Sequence, residues 1–359
     1  MSALLACKLG DVIKFGNGKS RPQTEGNIPV YGGNGILGYC DELNYDRETI
    51  VIGRVGAYCG ATYYAKQPIW ISDNALSAKP KDNNNTKYFY YFLKHMDLNQ
   101  HAGGSSHPLV TQTLLNSLDV EITANPEEQK AIASVLSSLD DKVDLLHRQN
   151  TTLERMAEVL FRQWFVEEAQ DDWEVGNLGS IADNIRKPVK AKDIQATIKY
   201  IGLEHIDRRN VALEQYGLGA DVSSNKYVFE KNDILFGKLR PYFHKVCFSP
   251  FSGVCSTDIL VIRPKSYEYF AFCLFAFFQD DVVDYANLGS GGTRMPRTDW
   301  AALKQYPISI PDKSTLQRFN GIVLLSINKI TENLAQIQTL EKLRDTLLPK
   351  LMSGEVRIS

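Results

Sequence analysis

The sequence predicts an α+β protein: two α/β domains related by pseudo-twofold symmetry, separated by an intramolecular antiparallel coiled coil of two long helices. Three observations carry this prediction. The 359-residue chain repeats itself at an offset of about 188 positions. Each repeat ends in a long amphipathic stretch. Each repeat begins with short β-like runs divided by glycine-rich turns.

The first long stretch runs from Asn125 to about Val166. Ile132, Leu139, Leu146, Leu153 and Leu160 recur every seven residues, and Leu136, Val143, Asn150, Ala157 and Trp164 form a second series beside them. This a/d pattern predicts a coiled-coil seam, with Asn150 as a polar residue that fixes register. Asn125 is suited to the N-cap, Pro126 to the first helical position, and Glu128 to a capping-box-like pair. The second stretch begins near Asp312. Its seam, Val323, Ile327, Ile330, Leu334 and Ile337, steps by four and three, and Leu340, Leu343 and Leu347 then shift the stripe. Pro349 is expected to kink or end this helix and Gly354 to stop it. The superposition places Gln129 on Gln317 and Leu136 on Leu324. A buried core helix is the plainer explanation of any apolar stripe; the narrowness, length and duplication of this one favour a seam.

The domains expected are residues 1–124, a helix over 125–170, a second domain over 171–311, and a second helix with a tail over 312–359. In the first domain Ile28–Tyr31, Ile36–Tyr39, Thr49–Ile52, Ala61–Ala65, Pro68–Ser72 and Leu118–Thr123 read as strands, and Lys87–Met96 as a helix buried on one face. The second domain repeats the order. Asp233–Arg240 matches Thr49–Gly56, Cys255–Asp258 matches Ile71–Asn74, Tyr269–Phe278 matches the aromatic helix, and the loop Gly289–Pro296 matches Gly103–Pro108. The tail after Ser353 is similar to Trp173–Gly176 and is expected to pack against the first domain. The scaffold is shared, whereas the loop residues are not.

Forty basic and 42 acidic residues give a formal charge of −2, so no global charge points to nucleic acid. The six cysteines form no CxxC pair and read as free thiols of a reducing compartment. No signal peptide is legible, and Tyr269–Phe278, the most apolar run, is about half a bilayer span. A cytoplasmic protein without membrane association is expected.

The segments Ile28–Tyr39, Val51–Thr62, Ile71–Pro80, Pro126–Met156 and Leu340–Val356 together resemble the specificity subunit of type I restriction–modification systems, across essentially the full length. That resemblance implies a non-catalytic reader of double-stranded DNA. Two target recognition domains would each read one half of a split, asymmetric site. The helices would act as spacer and as docking surface for two methyltransferase subunits, with motor/nuclease subunits joining for restriction. A helix of about 40 residues is about 60 Å long, more than one turn of DNA at about 34–36 Å.

The residues agree with a non-enzyme. Gly16–Ser20 ends like a phosphate-binding loop but lacks the earlier glycine, Ile13 standing in its place. No GxSxG, HExxH or amino-methyltransferase motif is present, and no cofactor or metal is expected. The DNA-contact candidates are loop residues able to bind phosphates and base edges. In the first domain these are Lys19, Arg21, Tyr31, Asn34, Arg54, Tyr58, Ser105, Ser106 and His107; in the second, Lys187, Lys190, Lys238, Arg240, Tyr242, His244, Thr293, Arg294 and Arg297. Gly237–Lys245 is the densest mixture of basic and aromatic residues. For any one of them a merely solvated surface charge is the competing explanation. The alternative function, from another class, is a protein-interaction scaffold with two globular heads.

Overall fold

A computed structural model describes residues 4–103, 108–288 and 295–358. The chain divides into two units, Met1–Val143 with Gln338–Ser359, and Asp144–Ile337.

The first unit contains β1 (Leu4–Lys8), α1 (Leu9–Val12), β2 (Ile13–Asn17), β3 (Ile28–Gly32), β4 (Gly35–Cys40), β5 (Thr49–Gly53), β6 (Thr62–Ala65), β7 (Trp70–Ile71), β8 (Ala75–Pro80), α2 (Thr86–His95), α3 (Gln112–Ser117), β9 (Asp119–Thr123) and the start of α4 (Pro126–Arg162). Its main sheet has the order β2-β8-β5-β6, a second has β4-β3-β7, and β1 pairs antiparallel with β9. Every residue of β5 is buried, which is why Thr49–Gly53 reads as an apolar run and not as an alternation. Tyr88, Phe89 and Phe92 of α2 cover this sheet.

The second unit repeats the plan: β10 (Glu174–Asn177), α5 (Leu178–Ile181), β11 (Ala182–Asn184), β12 (Pro188–Val189), β13 (Lys199–Ile201), β14 (Gly217–Leu218), β15 (Lys226–Phe229), β16 (Ile234–Gly237), β17 (Val246–Phe248), β18 (Gly253–Cys255), β19 (Ile259–Pro264), α6 (Phe270–Phe278), α7 (Asp280–Leu288), α8 (Trp300–Leu303), β20 (Pro307–Ile310) and the start of α9 (Lys313–Met352). The order β11-β19-β16-β17 reproduces the main sheet of the first unit strand for strand, and β10 with β20 reproduces β1 with β9. The second sheet, β12-β15-β18-β13-β14, keeps a parallel pair at the equivalent place and adds β12 and β15. All nine residues of α6 are buried, so its sequence is apolar around the whole helix.

Both long helices begin at strong caps. Asn125 Oδ1 accepts from the amide of Glu127 at 3.0 Å, with Pro126 at the first position. Asp312 accepts from the amides of Ser314 and Thr315 at 2.9 and 3.1 Å and from both hydroxyls, which hold its carboxyl well below the usual range. The helices run antiparallel within each unit. In the first, Ile132, Ala133 and Leu136 share a core with Leu348, Leu351 and Met352, and Asp140 pairs with Arg344 at 2.7 Å. In the second, Phe165 meets Phe319 with ring centroids 4.8 Å apart, and Asn333 Nδ2 donates to Asn150 Oδ1 at 2.8 Å.

Several sequence expectations need correction. The seam positions Ile132, Leu136, Val143, Leu146, Asn150, Val323, Ile327, Ile330, Leu334 and Ile337 are buried, but Leu139, Leu153 and Leu160 are only half-buried. Past Asn150 the expected Ala157 stays buried, but Phe161 and Phe165 take the buried positions in place of Leu160 and Trp164. A straight 3.6-residue helix drifts from a strict seven-residue repeat by about 20° per heptad, which rotates Leu153 and Leu160 off the seam. Pro349 does not end α9, which continues to Met352. The missing amide removes one hydrogen bond, while the Pro349 carbonyl still accepts from Ser353 at 3.0 Å and buried Leu348, Leu351 and Met352 hold the last turn. Gly354, at φ +71°, takes the left-handed turn after it.

The tail behaves as expected: it adds no strand among the described residues, and Ile358 packs on the core of the first unit. The pairing of Gln129 with Gln317 fails. Gln129 is fully buried, accepts from the Asn85 amide at 2.8 Å and donates to Asn84 Oδ1 and the Thr123 carbonyl. Gln317 is exposed and donates to Glu268. Near the start of α9 the buried amide is Asn320, which accepts from the Ala271 amide at the start of α6 at 3.2 Å.

Two stability predictions follow from these helices. Asn150 Nδ2 and Asn333 Oδ1 are buried without partners among the described residues. Asn150→Leu removes the remaining bond and should destabilise the second unit by about 1–3 kcal/mol in urea denaturation. The double change Asn150→Leu with Asn333→Leu should recover that loss, since both polar groups go together; no recovery would refute the pairing. Glu154 of α4 lies partly buried, and burial, then Glu214 and Glu158, push its carboxyl up from 4.5 to about 7 despite a hydrogen bond from the Val211 amide. A raised folded value means stability that is fully present below pH 4.5 and lost as pH rises through about 7. Glu154→Gln should therefore gain up to about 3 kcal/mol over wild type at pH 8 and match it near pH 4.5. Equal differences at both pH values would exclude this assignment.

Candidate nucleic-acid interface

β5 ends at Gly53, where a Cβ would lie 2.2 Å from the Tyr58 carbonyl and 2.9 Å from that of Gly33; only glycine permits this approach. Arg54 follows. Its amide donates to the Asn74 carbonyl at 3.0 Å, and its carbonyl accepts from the Val110 amide at 3.0 Å. Val55 bridges Leu109, which also bridges Gly103. Three loops are thereby tied around one basic residue. Gly56 then turns at φ +75° into a single helical turn, Gly56–Tyr58, that leaves Tyr58 half exposed.

The second unit builds the same frame. The Lys238 amide, after Gly237 of β16, donates to the Asp258 carbonyl at 3.0 Å, and its carbonyl accepts from the Thr298 amide at 2.9 Å. Leu239 bridges Arg297. Arg240 stands where the first unit has Gly56, at φ +51°, and leads into the turn Pro241–Phe243, which leaves Tyr242 half exposed. Arg54 thus corresponds to Lys238 and Tyr58 to Tyr242. A non-glycine residue in the left-handed region costs of order 1 kcal/mol, and such residues cluster at functional sites.

The frames gather some candidates and not others. In the first unit the turn carrying Asn34 abuts the frame, since a Cβ on Gly33 would lie 3.4 Å from the Asn74 carbonyl. Exposed Lys19 bridges Ser72, two residues from Asn74. Arg21 lies across Gly38 of the β4 hairpin. Tyr31 is turned inward against Tyr63, with ring centroids 6.3 Å apart, and burial raises its hydroxyl. Gly16–Ser20 opens no helix and so offers no phosphate cradle.

In the second unit Arg297 pairs with Asp258 at 2.8 Å. Burial lowers the Lys238 ammonium, with Arg297 and Arg186 acting in the same sense against Asp258 and Asp299. Lys187 and Lys190 flank β12 and are exposed. His244 is a correction: it is buried, its Nδ1 lies 3.1 Å from Asp280 Oδ1 and its ring packs edge-on to Phe278. Burial, then Arg209, lowers its pKa, so a neutral ring sits in the core and offers nothing to a nucleic acid. Its φ of +49° turns it inward. Ser105, Ser106, His107, Thr293 and Arg294 lie outside the described residues.

Sequence reasoning missed Arg186, Arg208, Asn74 and Asp258. Arg208 stacks its guanidinium 3.9 Å from the Phe243 ring, which Tyr242 meets on another side at 4.7 Å. Arg186 could have been found beside Lys187 in the basic run; the single polar residues Asn74 and Asp258 carried no signal of their own. Arg54 Nε, Arg240 Nε and Thr298 Oγ are buried with no hydrogen-bond partner among the described residues. The arrangement offers guanidinium, ammonium, amide and tyrosine groups around a rigid backbone, the chemistry that binds phosphates and base edges. No group of His, Cys, Asp and Glu able to hold a metal occurs among the described residues, and no described helix is long and apolar enough to cross a membrane.

Comparison with known proteins points the same way. The family model described as the type I restriction modification DNA specificity domain matches twice, over residues 6–155 and 170–342. The MjaIX type I specificity subunit of Methanocaldococcus jannaschii is 28% identical over 337 residues, covering 83% of this chain and 76% of its own. The EcoDI specificity subunit of Escherichia coli is 20% identical, covering 85% and 77%. The crystal structure of the type I S subunit from M. genitalium superposes with a TM-score of 0.67 at 19% identity, covering 97% and 96% of the two chains, and so shares the fold. With its domain matched twice over most of the sequence, the chain belongs to the type I restriction–modification DNA specificity family.

Proposed function

We propose that the chain is the sequence-specific DNA-recognition subunit of a type I restriction–modification complex, and that each unit reads one half of a bipartite, asymmetric double-stranded site. The observation that carries this reading is the duplicated backbone frame around Arg54 and Lys238, matched in the two main-chain hydrogen bonds of its central residue and different in its side chains. Two readers of one construction with different surface chemistry suit two unlike half-sites. Residues 1–124 and 171–311 act as target recognition domains. The helical segments 125–170 and 312–359 act as spacers whose outer faces receive two methyltransferase subunits, with motor/nuclease subunits completing the restriction complex in the cytoplasm. The chain itself carries out no catalysis in this assignment.

Co-expression with its methyltransferase subunits, followed by mapping of methylated bases across a genome, should yield a split motif with unlike halves. A continuous motif refutes the bipartite reading, and binding to DNA that is insensitive to salt favours the protein-interaction scaffold instead. The two basic residues at the frame centres give a second test. If Lys238 meets a phosphate, Lys238→Ala should weaken binding uniformly across sequences and lower the salt slope by about one unit; Arg54→Ala should relax one base of the first half-site if Arg54 meets a base. Gel shifts at several salt concentrations distinguish these outcomes from no effect, which would remove the residue from the interface.

A further inference from the structure

The position that closes each frame carries a different functional group in each unit. Its main-chain carbonyl accepts from the central basic residue at 3.0 Å in both, so Asn74 and Asp258 leave the backbone from equivalent places. Neither side chain is consumed by folding. Asn74 is exposed and makes no side-chain hydrogen bond among the described residues. The Asp258 carboxylate takes Arg297 Nη2 at 2.8 Å, in a pair whose members are 30% and 55% exposed; such an exposed pair contributes little to stability.

Resting on the DNA-recognition reading, we propose that this position determines specificity. The Asn74 amide reads a base of the first half-site directly, and Asp258 acts as a positioning residue that sets the second by holding Arg297. The chemistry differs accordingly. A free amide can accept from the N6 amino group of adenine through its carbonyl and donate one N–H to N7. A carboxylate that engages one side of a guanidinium fixes its plane and leaves the remaining N–H groups directed outward, the geometry that meets O6 and N7 of guanine. Leu239, bridged to Arg297, holds the arginine backbone in register with the Lys238 loop, so that the carboxylate has only the side chain left to orient. The first unit has Leu109 at the place of Arg297 and no cation there for Asn74 to hold.

The test uses the near-isosteric exchanges Asn74→Asp and Asp258→Asn, with Asp258→Glu as the conservative variant, each in the full chain expressed with its methyltransferase subunits. Methylated motifs and thermal unfolding midpoints are both measured. Asn74→Asp should change the preference at one base of the first half-site by roughly ten- to a hundredfold and leave the second half intact. Asp258→Asn should relax one base of the second half only, with Asp258→Glu retaining part of the preference. Unchanged motifs in both exchanges, a uniform loss across all sequences, or a fall in the unfolding midpoint in place of a base change would each overturn the assignment. The wild-type chain is the control for the underlying reading: absence of any sequence-limited methylation there overturns that reading too, whereas a clear wild-type motif untouched by the exchanges overturns this assignment alone.

Discussion

The hydrogen bond from the Arg54 amide to the Asn74 carbonyl, matched by that from Lys238 to Asp258, is the contact on which the candidate interface depends. It uses main-chain atoms only, so it survives any change of side chain. It follows Gly53 and Gly237 at the ends of fully buried strands, and at Gly53 the close approach of the Tyr58 carbonyl admits only glycine. Because the frame is fixed by backbone, its side chains are free to diverge, and they have: Arg54 against Lys238, Asn74 against Asp258, Leu109 against Arg297, Val110 against Thr298. A site built in this way changes what it reads without changing how it folds, which duplication followed by divergence requires.

The long helices obey the opposite rule, spending buried polar groups to define where they lie. Gln129 satisfies three partners from within the core of the first unit, and Asn320 does the equivalent from one turn further along in the second. The Asn150–Asn333 pair is less well satisfied, with one atom of each amide unpartnered. A leucine pair would bury more favourably but would tolerate slippage by a turn; an amide pair is satisfied in one register only. Register matters in a helix pair that carries a reading surface beside it, because sliding by one turn moves the partner by about 5.4 Å.

How much of this was legible follows from what each signal consists of. The caps at Asn125 and Asp312, the aromatic run of α6 and the strand at Thr49 are local patterns with one physical cause each, and they are readable from the sequence. The stripe beyond Asn150 was not, because a strict heptad and a straight helix agree for only two or three heptads before Phe161 replaces Leu160 at the buried position. The slip between Gln129 and Asn320 was hidden for a related reason: the same task is done by different residue types one turn apart, so superposition matched Gln129 to the exposed Gln317. At the site, Arg54, Lys238 and Tyr242 stood out by composition. His244, in the same run, did not betray that a left-handed backbone turns it into the core. Asn74 and Asp258 owe their importance to a carbonyl contact that no side-chain pattern records.

Electrostatics constrain how such a chain can hold DNA. With a formal charge of −2 the protein gains no general attraction for a polyanion. Affinity then depends on local concentrations of cations, and the two frames carry some of them. The frames are not equivalent. In the second, Asp258 and Asp299 act on Lys238 against the neighbouring Arg297 and Arg186, and Arg297 is already engaged by Asp258. In the first, Arg54 has an unpartnered buried Nε and a neutral amide for its neighbour at position 74. Among the described residues Arg54 forms no ion pair, while the second frame must either keep the Asp258–Arg297 pair on binding or break it. Keeping it sacrifices charge for a fixed guanidinium plane. An interface that relies on local cations and gives up some of their charge in one half trades affinity for discrimination there, and the Arg240 strain beside it is consistent with a loop held in shape for reading and not for general attraction.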